Sequence, residues 1–358
     1  MSTCAIFQSA GVGCHLSRTN PYLVGFIVYL SLMFLVTSVS SSYATSPSST
    51  SKISATTKKP QKKIHTKIKK KASIKPSRTR IIRPVSTVVQ AKAVYCVNLA
   101  NNETLIAKNQ DERLPIASLT KLVTALVTLD HMALDKEIEI PSHIKTVPKS
   151  VVGLKPGDTL TVEDLLHGML ISSGNDCAEA LACAFPGGKT KFIQALNKKA
   201  GSLGAKNTEF FTPSGLDRKP ANASDDAKES EVQANMSTAR EVADITRIAF
   251  SNKIIRSICQ KKSHVLVSKL NSNGYPIRNT NKLLRDNLPV VGGKTGFTVR
   301  AGHCLASEFS PGKDLFVIVV LGSPDHFRDT RLLYLKALKH SNAPQNVSAE
   351  KPDRVAAK

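Results

Sequence analysis

The stretch Leu114-Pro115-Ile116-Ala117-Ser118-Leu119-Thr120-Lys121-Leu122-Val123-Thr124-Ala125-Leu126-Val127-Thr128-Leu129 constrains the fold more than any other part of the chain. Pro115 suits a position just before or at a helix start. The residues after it are apolar nearly all round, the pattern of a helix buried on every side. Ser118 and Lys121 are three residues apart, so their side chains share one face of the first turn. A hydroxyl is a poor nucleophile until a neighbouring base takes its proton. A lysine in a desolvated pocket has its pKa lowered and can be that base. The helix N-terminus adds free N–H groups that face developing negative charge. The spacing alone is not distinctive, since Ser49/Lys52, Ser142/Lys145, Ser310/Lys313 and Ser348/Lys351 share it. Ser118 stands out because its lysine leads into an apolar helix.

A chain of 358 residues, 41% of them apolar, has room and core for one large domain or two small ones. Its net charge of +23 is unevenly placed. No Asp or Glu precedes Glu103, and that segment holds 15 of the 50 basic residues, which leaves 35 basic against 27 acidic in the rest. The high charge therefore belongs mostly to a tail and says little about the folded part. The seven cysteines show neither C-x-x-C nor a Cys/His cluster, so no metal site is expected from their spacing. Cys96, Cys177, Cys183, Cys259 and Cys304 read mostly as small buried apolar residues.

Tyr22 to Val36 is a mostly apolar run, short for a membrane span, followed by small residues with Ser42 and Ala44 in the small-x-small pattern of signal cleavage. Residues 1–44 are therefore expected to be a signal peptide, with an uncleaved anchor as the alternative. Either way the rest of the chain lies beyond the cytoplasmic membrane, in a periplasm or cell envelope. Residues 45–84 are Ser/Thr-rich, then Lys/Arg-rich, with almost nothing to bury, and read as a disordered linker. Its basic run suits an anionic envelope polymer or lipid; export argues against nucleic acid. A folded domain is expected over 85–342, with a loose tail over 343–358.

Within that domain, Ser86–Leu99 and Glu103–Lys108 read as strands. Thr161-Val162-Glu163-Asp164 reads as a capping box before a helix Leu165–Ile171. Helices follow over Cys177–Phe185 and Phe192–Gly201, and Arg218–Asn235 is a polar insertion. Ser237 is placed as the cap of a helix Ala239–Phe250. Val265–Val267 with the Asn271–Gly274 turn suggests a hairpin. Gly302–Phe309 and Leu315–Leu321 pair around Pro311-Gly312, and Arg328–His340 closes the chain as a helix.

Two further motifs follow Ser118 and Lys121. Ser173-Gly174-Asn175 is the only S-x-N in the chain, and Lys294-Thr295-Gly296 the only K-T-G. The order S-x-x-K, S-x-N, K-T-G is the signature order of penicillin-binding proteins and class A β-lactamases. With Phe211-Thr212-Pro213-Ser214-Gly215-Leu216-Asp217 and Gly293–Thr298 added, residues 87–340 resemble the D-alanyl-D-alanine carboxypeptidase family of low-molecular-weight penicillin-binding proteins. A phosphate loop fails at both Gly-Gly-Lys-Thr stretches, where Cys183 and Leu288 stand in place of the first glycine.

The resemblance implies an α/β fold: a five-stranded antiparallel sheet flanked by helices, with a helical subdomain carrying Ser173. It implies a serine D,D-peptidase without cofactor or metal. Ser118 would attack the carbonyl between two D-alanines and Lys121 take its proton. Ser173 would relay a proton to the leaving amine, and Asn175 hold Lys121 and the substrate amide. Lys294, Thr295 and Gly296 would bind substrate, with the backbone N–H groups of Ser118 and Phe297 as the oxyanion hole. Peptidoglycan stem peptides would be the substrates, as carboxypeptidase or endopeptidase, and β-lactams covalent inhibitors. The shortness of the chain after Gly296 is more like the family's endopeptidases. A β-lactamase would need a glutamate for deacylation; the nearest look-alike is Gln194-Ala195-Leu196-Asn197, with Gln near the critical place. An inactive, envelope-binding member is the non-enzyme alternative.

Overall fold

The structure, a computed structural model, describes residues 88–219 and 232–341. The expected signal, basic linker and tail, their boundaries, and most of the 218–235 insertion lie outside the described residues.

β1 (Ala93–Asn98) is buried along its whole length, whereas β2 (Glu103–Lys108) is mostly exposed. The difference follows from position. The sheet order is β2-β1-β11-β10-β9, all antiparallel, so β2 is an edge and β1 is interior. The remaining strands are β9 (Val290–Thr298), β10 (Gly302–Phe309) and β11 (Phe316–Ser323). Between β2 and β9 the chain makes the short strands β3 (Leu114–Pro115), β4 (Glu137–Glu139), β5 (Thr159–Thr161), β6 (Met236–Ser237), β7 (Ser263–Leu266) and β8 (Tyr275–Arg278). They pair β3 with β6, β4 with β5 and β7 with β8. The helices are α1 (Lys121–His131), α2 (Val162–Ile171), α3 (Asn175–Cys183), α4 (Gly188–Ser202), α5 (Ala239–Ser251), α6 (Lys253–Gln260) and α7 (His326–Ser341).

Side chains of a strand alternate between faces. Tyr95 and Val97 join one core with Val317, Val319, α1 and α5; Val94 and Cys96 join the other with Ile318, Val320 and Leu333, Tyr334 and Ala337 of α7. The expected sheet with helices on both faces is therefore present. α1 packs against α2, α3, α4 and α5, which sets it at the centre of the larger core. No described helix is long and apolar enough to cross a membrane.

Two local expectations need correction. The α5 cap is Thr238, whose hydroxyl accepts from Glu241 N, while Ser237 is engaged with Thr208 at 2.7 Å. The capping box at Thr161 opens its helix at Val162 rather than Leu165, and the Thr161 hydroxyl accepts from Asp164 N at 3.1 Å. α6 was not expected; Asn252 caps it by accepting from Ile254 N and Ile255 N.

Candidate active site

Ser118 lies in a 3-10 turn, Ala117–Thr120, that leads into α1. The sequence placed it on an α-helical turn. The tighter turn has a local cause: Ala117 is left-handed at φ +46°, and Gly215, at φ +84°, presses on it. A Cβ on Gly215 would stand 2.0 Å from the Ala117 carbonyl oxygen, so only glycine fits. In a 3-10 turn residues i and i+3 eclipse. Lys121 Nζ accordingly lies 2.8 Å from Ser118 Oγ.

Lys121 is fully buried. Its Nζ is 2.8 Å from Asn175 Oδ1 and 2.7 Å from the Ser214 carbonyl oxygen. The Asn175 amide is turned by its own NH₂ group, which donates to Pro148 O at 3.1 Å and Lys149 O at 2.8 Å. Two of the three neighbours of Nζ can only accept. Both accept N–H bonds from Nζ, and the Ser118 hydroxyl is its third contact. Burial, then the nearby charge of Lys294, holds the Lys121 pKa well below the usual lysine range, with Cys177 and Asp176 opposing weakly.

Ser173 joins α2 to α3 with φ +63°, a second strained backbone position in the same cleft. Its Oγ accepts from Lys294 Nζ at 2.8 Å, and the same ammonium donates to Thr295 O at 2.8 Å. Lys294 is fully buried on β9, and burial lowers its pKa to about 7. Thr295 Oγ1 lies 2.6 Å from Thr280 Oγ1. β9 is the edge strand opposite β2, and it runs against the nucleophile turn. A Cβ at Gly296 would come within 3.0 Å of Ile116 O and 3.1 Å of Ser118 N. The Ser118 N–H is thus set beside the strand that continues to Phe297.

Ser118, Ser173, Asn175, Thr295, Gly296 and Phe297 line one cavity of about 440 Å³. Lys121 and Lys294 stand behind its wall. The three motifs, distant in sequence, converge on this one cleft. Chemically it offers a hydroxyl beside a buried lysine of lowered pKa, a second hydroxyl beside a second lysine, and an open sheet edge.

Several residues of the cleft had no role in the sequence reading. Ser214 O holds Lys121, and Lys149 and Ser150 form a rim at φ +49° and +40°. Asp217 is the one carboxylate lining the cavity among the described residues, and burial raises its pKa against a hydrogen bond from Thr298 and the charge of Arg300. His303 and His326 both line the cavity. Their rings stack at 4.9 Å, and His303 meets Phe297 at 4.5 Å. The β9–β10 register pairs His303 with Phe297 and the start of α7 brings His326 beside them, and no local pattern could have revealed it. Gln194 does not reach the cavity, and Asn197 ties α4 to Phe210 through two 2.8 Å hydrogen bonds.

A model of the D-alanyl-D-alanine carboxypeptidase family matches residues 80–325. The chain belongs to the D-alanyl-D-alanine carboxypeptidase family. Within it, a D-alanyl-D-alanine endopeptidase of Escherichia coli K12 is 33% identical over 254 residues, 68% of this chain and 76% of that protein. The carboxypeptidase DacF of Bacillus subtilis is 30% identical over 241 residues, and the match spans 65% of this chain but only 58% of that relative's length. Among solved structures, penicillin-binding protein D2 of Listeria monocytogenes in its ampicillin-bound form is 26% identical with a TM-score of 0.59, over 72% of this chain and all of that one.

Proposed function

We propose that the chain is a serine-type D,D-peptidase. It would cleave D-Ala-D-Ala, or a D-Ala–diamino-acid cross-link, in peptidoglycan through an acyl-enzyme on Ser118, and it would be acylated by penicillins. The observation that carries this reading is the Lys121 amine. It is buried, two-thirds committed to acceptor-only oxygens, and 2.8 Å from Ser118 Oγ.

Lys121 takes the Ser118 proton as Oγ bonds to the scissile carbonyl carbon. The N–H groups of Ser118 and Phe297 receive the oxyanion; one such donor is worth about 3–4 kcal/mol. Ser173, held by Lys294, relays the proton taken by Lys121 to the departing amine as the C–N bond breaks, which leaves both side chains as they began. Water then hydrolyses the ester and restores the Ser118 hydroxyl. Thr295 and Lys294 supply a hydroxyl and positive potential for the substrate carboxylate, and the outer edge of β9 accepts an extended peptide. Such substrates place the protein in the cell envelope. The basic run before residue 84 would hold it near anionic envelope polymers.

A defined D-Ala-D-Ala peptide tests the reaction. The wild type should release D-alanine and Ser118→Ala should not. Equal release by both would overturn the assignment. Mass analysis of digested muropeptides separates carboxypeptidase from endopeptidase products.

A further inference from the structure

A second cluster lies outside the cleft. Glu179 and Cys183 are four residues apart on α3, so they share one helix face. His143, from the 3-10 turn Ser142–Thr146, faces both. His143 Nε2 is 3.7 Å from Cys183 Sγ and 3.6 Å from Glu179 Oε1, and Sγ is 3.8 Å from the same Oε1. Among the described residues it is the one grouping of three potential metal ligands.

The three atoms form a nearly equilateral triangle. The centre of a triangle of side about 3.7 Å is about 2.1 Å from each corner, near the bond lengths zinc takes to nitrogen, oxygen and sulfur. We propose that His143, Glu179 and Cys183 bind one divalent ion of the zinc class, with solvent in the fourth position. His143 is half exposed, which leaves that position and an entry path open. Mixed nitrogen, carboxylate and thiolate donors favour zinc over magnesium or calcium.

One competitor is visible. Lys189 Nζ lies 2.6 Å from Glu179 Oε1 and now neutralises it. Its side chain is 44% exposed, so it can swing into water when an ion takes its place. Binding exchanges the Cys183 thiol proton, released to solvent, for a sulfur–metal bond, and the Lys189–Glu179 bond for an oxygen–metal bond. The sequence hid the site because His143 is 36 residues from Glu179, with no motif spacing.

The site has a structural consequence. Just after the Ser142–Thr146 turn come Pro148 and Lys149, whose carbonyls hold the Asn175 side chain, and Ser150, whose carbonyl accepts from Asn175 N at 2.8 Å. Asn175 begins α3 and Cys183 ends it. An ion here would clip the cleft rim to α3 at its far end, as Asn175 already does at its near end.

Cobalt(II) is the probe, because thiolate coordination gives it a strong near-ultraviolet charge-transfer band. The purified full chain should bind one equivalent with that band, and Cys183→Ser should lose it. His143→Ala, at a half-exposed position, should bind at least about tenfold more weakly, on the scale by which even outer partners alter metal affinity. Lys189→Ala should bind more tightly, because the competing ammonium is gone. Zinc should raise the melting temperature of the wild type and not that of Cys183→Ser. Penicillin labelling of Ser118 in each variant checks that the fold is kept and reads the proposed enzyme activity separately. An unchanged band in Cys183→Ser, unchanged or weaker binding in Lys189→Ala, or no binding below millimolar cobalt would overturn the site and leave Glu179 and Lys189 as an ion pair only.

Discussion

No carboxylate hydrogen-bonds the Lys121 amine; it meets two carbonyl-type oxygens and one hydroxyl. Burial of an ammonium is costly, which is why the Lys121 pKa is held well below the usual lysine range. That is the condition for a general base at neutral pH. Lys121→Met keeps most of the volume and removes the base. It should still fold and acylate about 10²- to 10⁴-fold more slowly with a fluorescent penicillin. An unchanged rate in the folded variant would mean a different base. His326 offers a stability test at the same scale. Burial, then His303, lowers its pKa to about 4. An unfolded histidine titrates near 6.5, so on acidification the unfolded chain takes up the proton first. Stability is therefore lost as pH falls from about 6.5 to about 4, by roughly 3 kcal/mol at about 1.4 kcal/mol per unit. His326→Gln should remove that part of the acid dependence, read by urea unfolding at pH 7 and pH 4. An undiminished loss would show that other groups carry it.

At the scale of elements, the nucleophile turn depends on a neighbour far along the chain. Gly215 is left-handed and touches the Ala117 carbonyl, and the next residue toward the N-terminus, Ser214, supplies the carbonyl that holds Lys121. Gly215→Ala should push the turn away and lower the acylation rate more than it lowers the melting temperature. Acylation kinetics beside thermal unfolding measure the two; a normal rate would show that the turn can yield. The same dependence explains what the sequence could reveal. Ser118, Lys121, Ser173, Asn175 and the β9 motif were legible because each needs a particular residue type at short spacing. The 3-10 turn was not, since it follows from Gly215 nearly a hundred residues later. Thr161 could be read as a cap because Asp164 completes its box. Ser237 and Thr238 are equivalent as sequence, and Thr208, by engaging Ser237, settles which one caps. The two- and three-residue ladders β3/β6 and β4/β5 are too short to carry a period.

In the molecule as a whole, β1 pairs with β11, so the two ends of the described domain close one sheet around an inserted helical region. That topology puts Ser118, Ser173 and Lys294 on three separate parts of the chain facing one cleft. The fold class was readable through the resemblance that the three motifs carry, and β1 and β11, apolar on both faces, fit its interior strands. The histidines of the rim and the His143–Glu179–Cys183 cluster were not readable, because only the folded chain makes them neighbours. This convergence is expected to make Ser118 the acylated nucleophile. The most direct measurement is to incubate the full chain with a penicillin, digest it, and locate the adduct by mass spectrometry. One drug equivalent should be found on Ser118 and none on Ser118→Ala. An adduct on another residue, or none on a folded protein, would contradict the account.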